Sequence, residues 1–251
     1  MAGLVDFTNA EEVKEHLNNT EIEFMFGCHK ENNQDSCYRL AEFLDTVRKN
    51  FTEAGSMYTS CCKKFSNAPC CYKAGQFHML GKGGLVKSRV EAFKCYHTAC
   101  SQKNYTDQGK NDTIAAACCN QGMLLAQDTE NQESYIDYIK QTDGNDQKFS
   151  IVDDVLKSFT RACDLNDGIG CNLLSMYHMD GLQMKVPSNF KLAAKYAEKA
   201  CDLGNPKACH NLALMYKRGD GVTQSDEKAM EIANRCRELV EGNVALTFGD
   251  K

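Results

Sequence analysis

Five times along this chain a cysteine opens an apolar run that carries a small residue four positions on. The runs are CYRLA from Cys37, CYKAG from Cys71, CCNQG from Cys118, CNLLS from Cys171 and CHNLA from Cys209. In the clearer copies Leu or Met and then an aromatic follow, as in LLSMY (Leu173 to Tyr177) and LALMY (Leu212 to Tyr216). That spacing lines small and apolar residues along one face of a helix. A glycine-rich breaker comes next: GKGG at Gly81, DGLQ at Asp180, GDGV at Gly219. A second helix, rich in Ala and Lys, then ends on another cysteine, most cleanly in KLAAKYAEKAC (Lys191 to Cys201). Each unit therefore reads as helix A, glycine turn, helix B and a short loop flanked by cysteines.

The period is as informative as the pattern. Ten of the 15 cysteines form the pairs Cys28/Cys37, Cys62/Cys71, Cys100/Cys118, Cys163/Cys171 and Cys201/Cys209, and their first members recur at intervals of 34, 38, 63 and 38 residues. A period in this range marks a stacked-repeat protein. The expected fold is all-α: a right-handed solenoid of helix-turn-helix, TPR-like repeats stapled by disulfides, with five to six repeats in one domain spanning 1–251. The long interval is assigned to two additions, an enlarged inter-helix loop at 101–117 and a polar surface insertion at 127–147. Residues 237–251 read as a C-terminal tail.

Regular cysteines call for a chemical reading. No CxxC occurs, and no two cysteines lie at the spacing of two to four that zinc ribbons and fingers use, so local disulfides are favoured over metal. Five cysteines stand outside the pairs. Cys61 and Cys70 are also nine apart, but adjacent helical residues point about 100° apart, which disfavours a second bridge at one loop. Cys119 doubles Cys118 and has no assigned role. Cys95 and Cys236 are the free-thiol candidates, the first as a small buried hydrophobe within helix B and the second left without a following partner.

Composition narrows little. Apolar residues make up 42% and charged residues 25%, the net charge is −5 and basic residues are dispersed, which argues against nucleic-acid binding. No run of 18 apolar residues reads as a membrane span. The opening MAGLVDFTNAEEVKEHL has neither an apolar signal core nor an Arg-rich leader. Asn-x-Thr sequons stand at Asn18, Asn50, Asn104 and Asn111 and are read as chance occurrences in an Asn-rich chain. Oxidised cysteines without a leader point to the mitochondrial intermembrane space.

The Ala-Cys step, the Met-Tyr and Gly-x-Gly-Val strings resemble the Sel1-like repeat family, relatives of tetratricopeptide arrays. Finer strings, among them CYRL at Cys37, RKNF at Arg48, GKGGL at Gly81, KACDLG at Lys199 and LTFG at Leu246, resemble a mitochondrial branch of that family. The resemblance implies an intermembrane-space factor that supports assembly of respiratory-chain complex IV (cytochrome c oxidase) as a non-catalytic binding scaffold. Its partners would be complex IV assembly proteins or subunits and the oxidative import machinery, with the chain itself a monomer.

Complex IV handles haem and copper, so His78-Met79 and His178-Met179, at equivalent places before two glycine turns, are the residues to weigh as a cofactor site. Imidazole with thioether suits either metal, while Met at the end of helix A is also ordinary packing; no cofactor is required. Enzymes form the competing class. Bacterial cysteine-rich proteins with the same repeat resemble penicillin-binding enzymes with weak β-lactamase activity, and a thiol-disulfide or haem-handling factor is a further alternative. No SxxK or KTG motif supports the former and no CxxC the latter.

Overall fold

A computed structural model describes residues 5–103, 105, 108–143, 150–184 and 187–247. Among them are twelve α-helices: α1 (Ala10–His29), α2 (Gln34–Thr46), α3 (Phe51–Phe65), α4 (Ala68–Leu80), α5 (Arg89–Cys100), α6 (Gln108–Gln127), α7 (Gln132–Asp143), α8 (Ile151–Asp164), α9 (Gly168–Met184), α10 (Phe190–Asp202), α11 (Pro206–Arg218) and α12 (Asp226–Thr247). Internal contacts divide the chain into two compact units, 1–102 and 103–251, where the sequence reading expected one domain. Within the first, α1 to α5 pack in succession; within the second, α6 pairs with α8 and the succession continues from α8 to α12.

Helix starts are set by side-chain caps. Asn9, Asn33, Asn50, Asn67, Asn189 and Asn205, with Ser88 and Ser150, each accept from a backbone N–H in the first turn of the helix that follows. Such caps satisfy amides that have no partner inside the helix. The Asn richness of the chain thus has a structural use. Of the sequon asparagines, Asn50 caps α3, Asn18 accepts from Arg48 at 2.6 Å, and Asn111 bonds both the N–H and the carbonyl of Tyr105 at 2.8 Å. Asn104 lies outside the described residues.

The small residue of helix A exists because a ring lies on it. A Cβ on Gly75 would stand 2.5 Å from Tyr96, and one on Gly122 would stand 2.6 Å from Phe159. Tyr58, Tyr96 and Phe159 occupy the same register in α3, α5 and α8, and all three are buried. In α10 that register holds Ala197, and the small position of α9 is Ser175, whose hydroxyl donates to the Ala193 carbonyl of α10 at 2.8 Å. Ring and hole are exchanged together.

The glycine turns work by close approach. Gly83 (φ +65°) and Gly221 (φ +74°) take left-handed conformations, and a Cβ on either would fall about 2 Å from the carbonyl oxygen that opens the preceding helix B, at Phe51 or Phe190. Only glycine fits there. Beside Gly83, Lys82 pairs with buried Asp45 at 2.6 Å and lies over the rings of Phe51 and Phe77. The turn is thereby tied to α2, α3 and α4 at once.

Three boundaries differ from the sequence reading. The stretch 101–117 is not one enlarged loop, because α6 begins at Gln108. The insertion 127–147 holds helix α7 where a surface loop was expected: Tyr135 and Ile139 are buried, the Tyr135 hydroxyl donates to Asp128, and Gln132 donates to the Leu125 carbonyl at 2.9 Å. Its apolar residues, at 135, 136, 138 and 139, have helical spacing that the surrounding Gln, Asn and Asp obscure. The tail from 237 is helical as far as Thr247, the last residue of α12.

Candidate functional site

The recurring feature with chemistry in it is the corner between helix B and the next helix A. Disulfides join Cys28 to Cys37, Cys62 to Cys71, Cys163 to Cys171 and Cys201 to Cys209, with Cα atoms 4.5 to 4.6 Å apart. Cys100 and Cys118 are also disulfide-bonded. All four local corners share one backbone device. A left-handed residue (Asn32, Ser66, Asn166 or Gly204) precedes an Asx residue (Asn33, Asn67, Asp167 or Asn205) that caps helix A, and the carbonyl of that Asx accepts from the N–H of the second cysteine.

This device accounts for the spacing. The second cysteine always falls five residues after the left-handed residue. The first falls four before it in the two early corners and three before it in the two late ones, giving separations of 9 and 8. The bridge therefore sits at a fixed place on helix A, and only the exit of helix B varies.

A second bridge forms in one corner. Cys61 and Cys70 are bonded, Cα atoms 5.9 Å apart, beside Cys62–Cys71. The 100° step between adjacent residues disfavours a second bridge when one helix is considered alone, but here the bond forms. Where two helix ends meet face to face, a 100° step on one is matched by a 100° step on the other. The same positions touch in other corners: a Cβ on Gly27 would fall 2.4 Å from the Ser36 hydroxyl oxygen, and one on Gly170 would fall 2.6 Å from the Ala162 Cβ. Two cysteines placed there meet. Because Cys62–Cys71 already closes this loop, the second rung removes little further chain entropy. Removing either bridge alone, by Cys61→Ser/Cys70→Ser or by Cys62→Ser/Cys71→Ser, should therefore cost less than about 1 kcal/mol, and loss of both bridges about 2.5 kcal/mol or more; urea denaturation of the three variants measures the difference, and additive costs would contradict the shared-loop account.

Three described cysteines are free: Cys95, Cys119 and Cys236. Cys119 is buried and its thiol donates to Asp167 at 3.4 Å; burial and that carboxylate push its pKa up. Cys236 donates to the Pro206 carbonyl at 3.2 Å and packs on the core of the last repeat. Burial, with Glu91 adding to it, pushes the Cys95 thiol up to about 12. A thiol held protonated at neutral pH is a poor nucleophile. The alkylation rate of Cys95 should accordingly rise about tenfold per pH unit from 7 through 10 without levelling, and mass-spectrometric kinetics showing a plateau near 8.5 would refute this.

The residues weighed for haem or copper are placed as follows. His78 and His178 lie in different units, each in helix A near its C-terminal end. Their shared register has a backbone role that does not require histidine: the carbonyls of His78, His178 and Tyr216 accept from the cap residues Ser88, Asn189 and Ser225 of the next helix. The side chains then diverge. The His78 ring Nδ1 is 3.3 Å from the Val86 carbonyl, while His178 stacks on Tyr196 with centroids 5.6 Å apart, and burial lowers its pKa. Met179 packs on the core formed with Leu212 and Met215, and Met79 is half-buried beside His78. Among the described residues no group of three or more His, Cys, Asp or Glu side chains is placed to hold one metal ion, and no described helix is long and apolar enough to cross a membrane.

Helical pairs in this register, with these turns and corners, define a Sel1-repeat protein. A family model described as the Sel1 repeat matches residues 68–104, 168–205 and 206–235. The fold is similar to that of a Sel1 repeat protein from Oxalobacter formigenes, with a TM-score of 0.64 at 18% identity over 92% of this chain and 81% of that one. Full-length relatives are more specific. Cytochrome c oxidase assembly factor 7 from Xenopus tropicalis is 36% identical over 100% of both chains, the Homo sapiens protein of that name is 37% identical over 99% of this chain and 100% of its own, and a Drosophila melanogaster homolog is 29% identical over 93% and 91%. The chain belongs to the cytochrome c oxidase assembly factor 7 family.

Proposed function

We propose that this chain supports the assembly of respiratory-chain complex IV in mitochondria, as a non-catalytic scaffold of the intermembrane space. The observation that carries the reading is end-to-end similarity, at about 35% identity, to proteins named for cytochrome c oxidase assembly. Disulfide-closed corners support an oxidising compartment. In that compartment the oxidative import machinery would act on the same cysteines, and the clients would be complex IV subunits or other assembly proteins. A scaffold role also agrees with the chemistry of Cys95 and Cys119, whose thiols are held protonated.

The test is genetic complementation. Cells lacking their own member of this family should regain assembled complex IV, read by native gels and cytochrome c oxidation, when this chain is expressed. Protease protection should place it inside the outer membrane and outside the matrix. Unchanged complex IV levels, or a chain wholly in the cytosol with reduced thiols, would overturn the reading.

A further inference from the structure

Five helices end on the first cysteine of a corner: α1, α3, α5, α8 and α10. They can be compared position by position, counting back from Cys28, Cys62, Cys100, Cys163 and Cys201. Six residues before the cysteine, α3, α5, α8 and α10 carry Ser56, Lys94, Lys157 and Lys195. Three before it they carry Thr59, His97, Thr160 and Glu198, and two before it Ser60, Thr98, Arg161 and Lys199. At these three positions α1 carries Ile22, Met25 and Phe26.

The departure is not absorbed by packing. Ile22 is 63% exposed, Met25 44% and Phe26 56%. Three large apolar residues at i, i+3 and i+4 form one stripe on the helix. Scattered exposed apolar residues are ordinary, but a contiguous stripe where every equivalent helix is polar marks an interaction surface. The stripe opens onto a groove of about 610 Å³ between α1 and the start of α2, lined by Ile22, Phe26, Glu23, Glu31, Asp35 and Arg39. Its charged lining is three carboxylates to one guanidinium.

We propose that this groove and stripe dock an amphipathic helix of a partner protein, one whose apolar anchors are flanked by Lys or Arg. A stripe of this spacing matches the i, i+3, i+4 anchors of a helix laid in a groove, and the acidic rim selects basic flanks and steers their approach. The same rim would repel a second copy of this face and an anionic membrane. The proposal does not depend on complex IV assembly, since it rests on the surface of α1 and α2 alone.

The test uses the full oxidised chain and a synthetic fluorescent peptide, an amphipathic helix with Leu anchors at i, i+3, i+4 and i+7 and Lys flanks. A second peptide has the same anchors and Glu flanks. The variant Ile22→Ser/Met25→Thr/Phe26→Ser places on α1 the residues that α3 carries at these positions, so its fold is checked directly by circular dichroism and melting. Anisotropy should show the basic peptide binding the natural chain, at least tenfold weaker binding to the triple variant, and a several-fold loss on raising salt from about 50 to about 200 mM. The acidic peptide should bind at least tenfold more weakly than the basic one. No binding of the basic peptide, equal binding of both peptides, or unchanged affinity in a folded triple variant would overturn the proposal. So would a dimer in sedimentation that the triple variant abolishes, or binding to phosphatidylserine vesicles that it abolishes, since each assigns the surface to another occupant.

Discussion

Thiol reduction is expected to unfold this chain at temperatures where the oxidised form is native. Each single corner bridge closes a segment of 8 or 9 residues, which in the chain-entropy picture contributes about 2.5 kcal/mol. Net stabilities of folded domains are about 5–15 kcal/mol. Several bridges lost together therefore remove an amount comparable with the whole. The sensitivity should be greatest between α9 and α10, where Ala197 and Ser175 stand at the positions that hold a ring and a glycine elsewhere and bury less apolar area. A narrower version isolates one corner. Cys201→Ser/Cys209→Ser should cost about 2–3 kcal/mol, and amide exchange should quicken in α10 to α12 before it does in α1 to α3, because repeats contact only their neighbours. A reduced protein that melts within a few degrees of the oxidised one would show that the corners hold without their bonds.

Gly83→Ala should destabilise the first unit far more than Gly84→Ala, although the two residues are adjacent and both left-handed. Gly83 has φ +65° and Gly84 φ +75°, so the intrinsic cost of a Cβ in that conformation, about 1–2 kcal/mol, is common to both. The surroundings differ. At Gly84 a Cβ meets nothing nearer than the Thr52 methyl at 4.0 Å, whereas at Gly83 it would lie 2.1 Å from the Phe51 carbonyl oxygen. That oxygen belongs to the backbone that opens α3, so relief requires the turn to pull away and to disturb Lys82, with its contacts to Asp45, Phe51 and Phe77. The expected losses are about 1–2 kcal/mol for Gly84→Ala and roughly twice that or more for Gly83→Ala. Urea denaturation of both proteins decides it, and equal losses would mean that close approach contributes nothing at Gly83.

Much of the architecture is legible in the chain because the repeat states its constraints several times over. The small residue four positions after the second cysteine and the Ala-rich helix each answer a steric demand that recurs, as does the glycine turn at Gly83 and Gly221, whereas the glycine at 181 falls inside α9; a demand met repeatedly leaves a visible period. The four local corner bridges are legible for the same reason, since each of these corners uses a left-handed residue, an Asx cap and a cysteine at a fixed step. Helix α7 was hidden because its burial is local and unrepeated: Tyr135 and Ile139 are inserted among polar residues whose composition reads as loop. The second bridge was hidden because it depends on two helix ends meeting face to face, which a single-helix argument omits.

The candidate site divides along the same line. Sequence marked the paired cysteines and the recurrence of His78 and His178, and it singled out Cys95 and Cys236. It passed over the stripe of Ile22, Met25 and Phe26, although the signal was there: three apolar residues in a register that holds Ser, Thr, His, Glu, Lys or Arg in every other copy. An apolar residue in α1 reads as core until its exposure is known. By itself the chain determined its class, its period and its local corners, since these follow from contacts between residues near one another in sequence. Tertiary structure alone decided which side chains face water, how a histidine in an equivalent position is used, and that Cys61 reaches Cys70, because each depends on where a neighbouring helix lies.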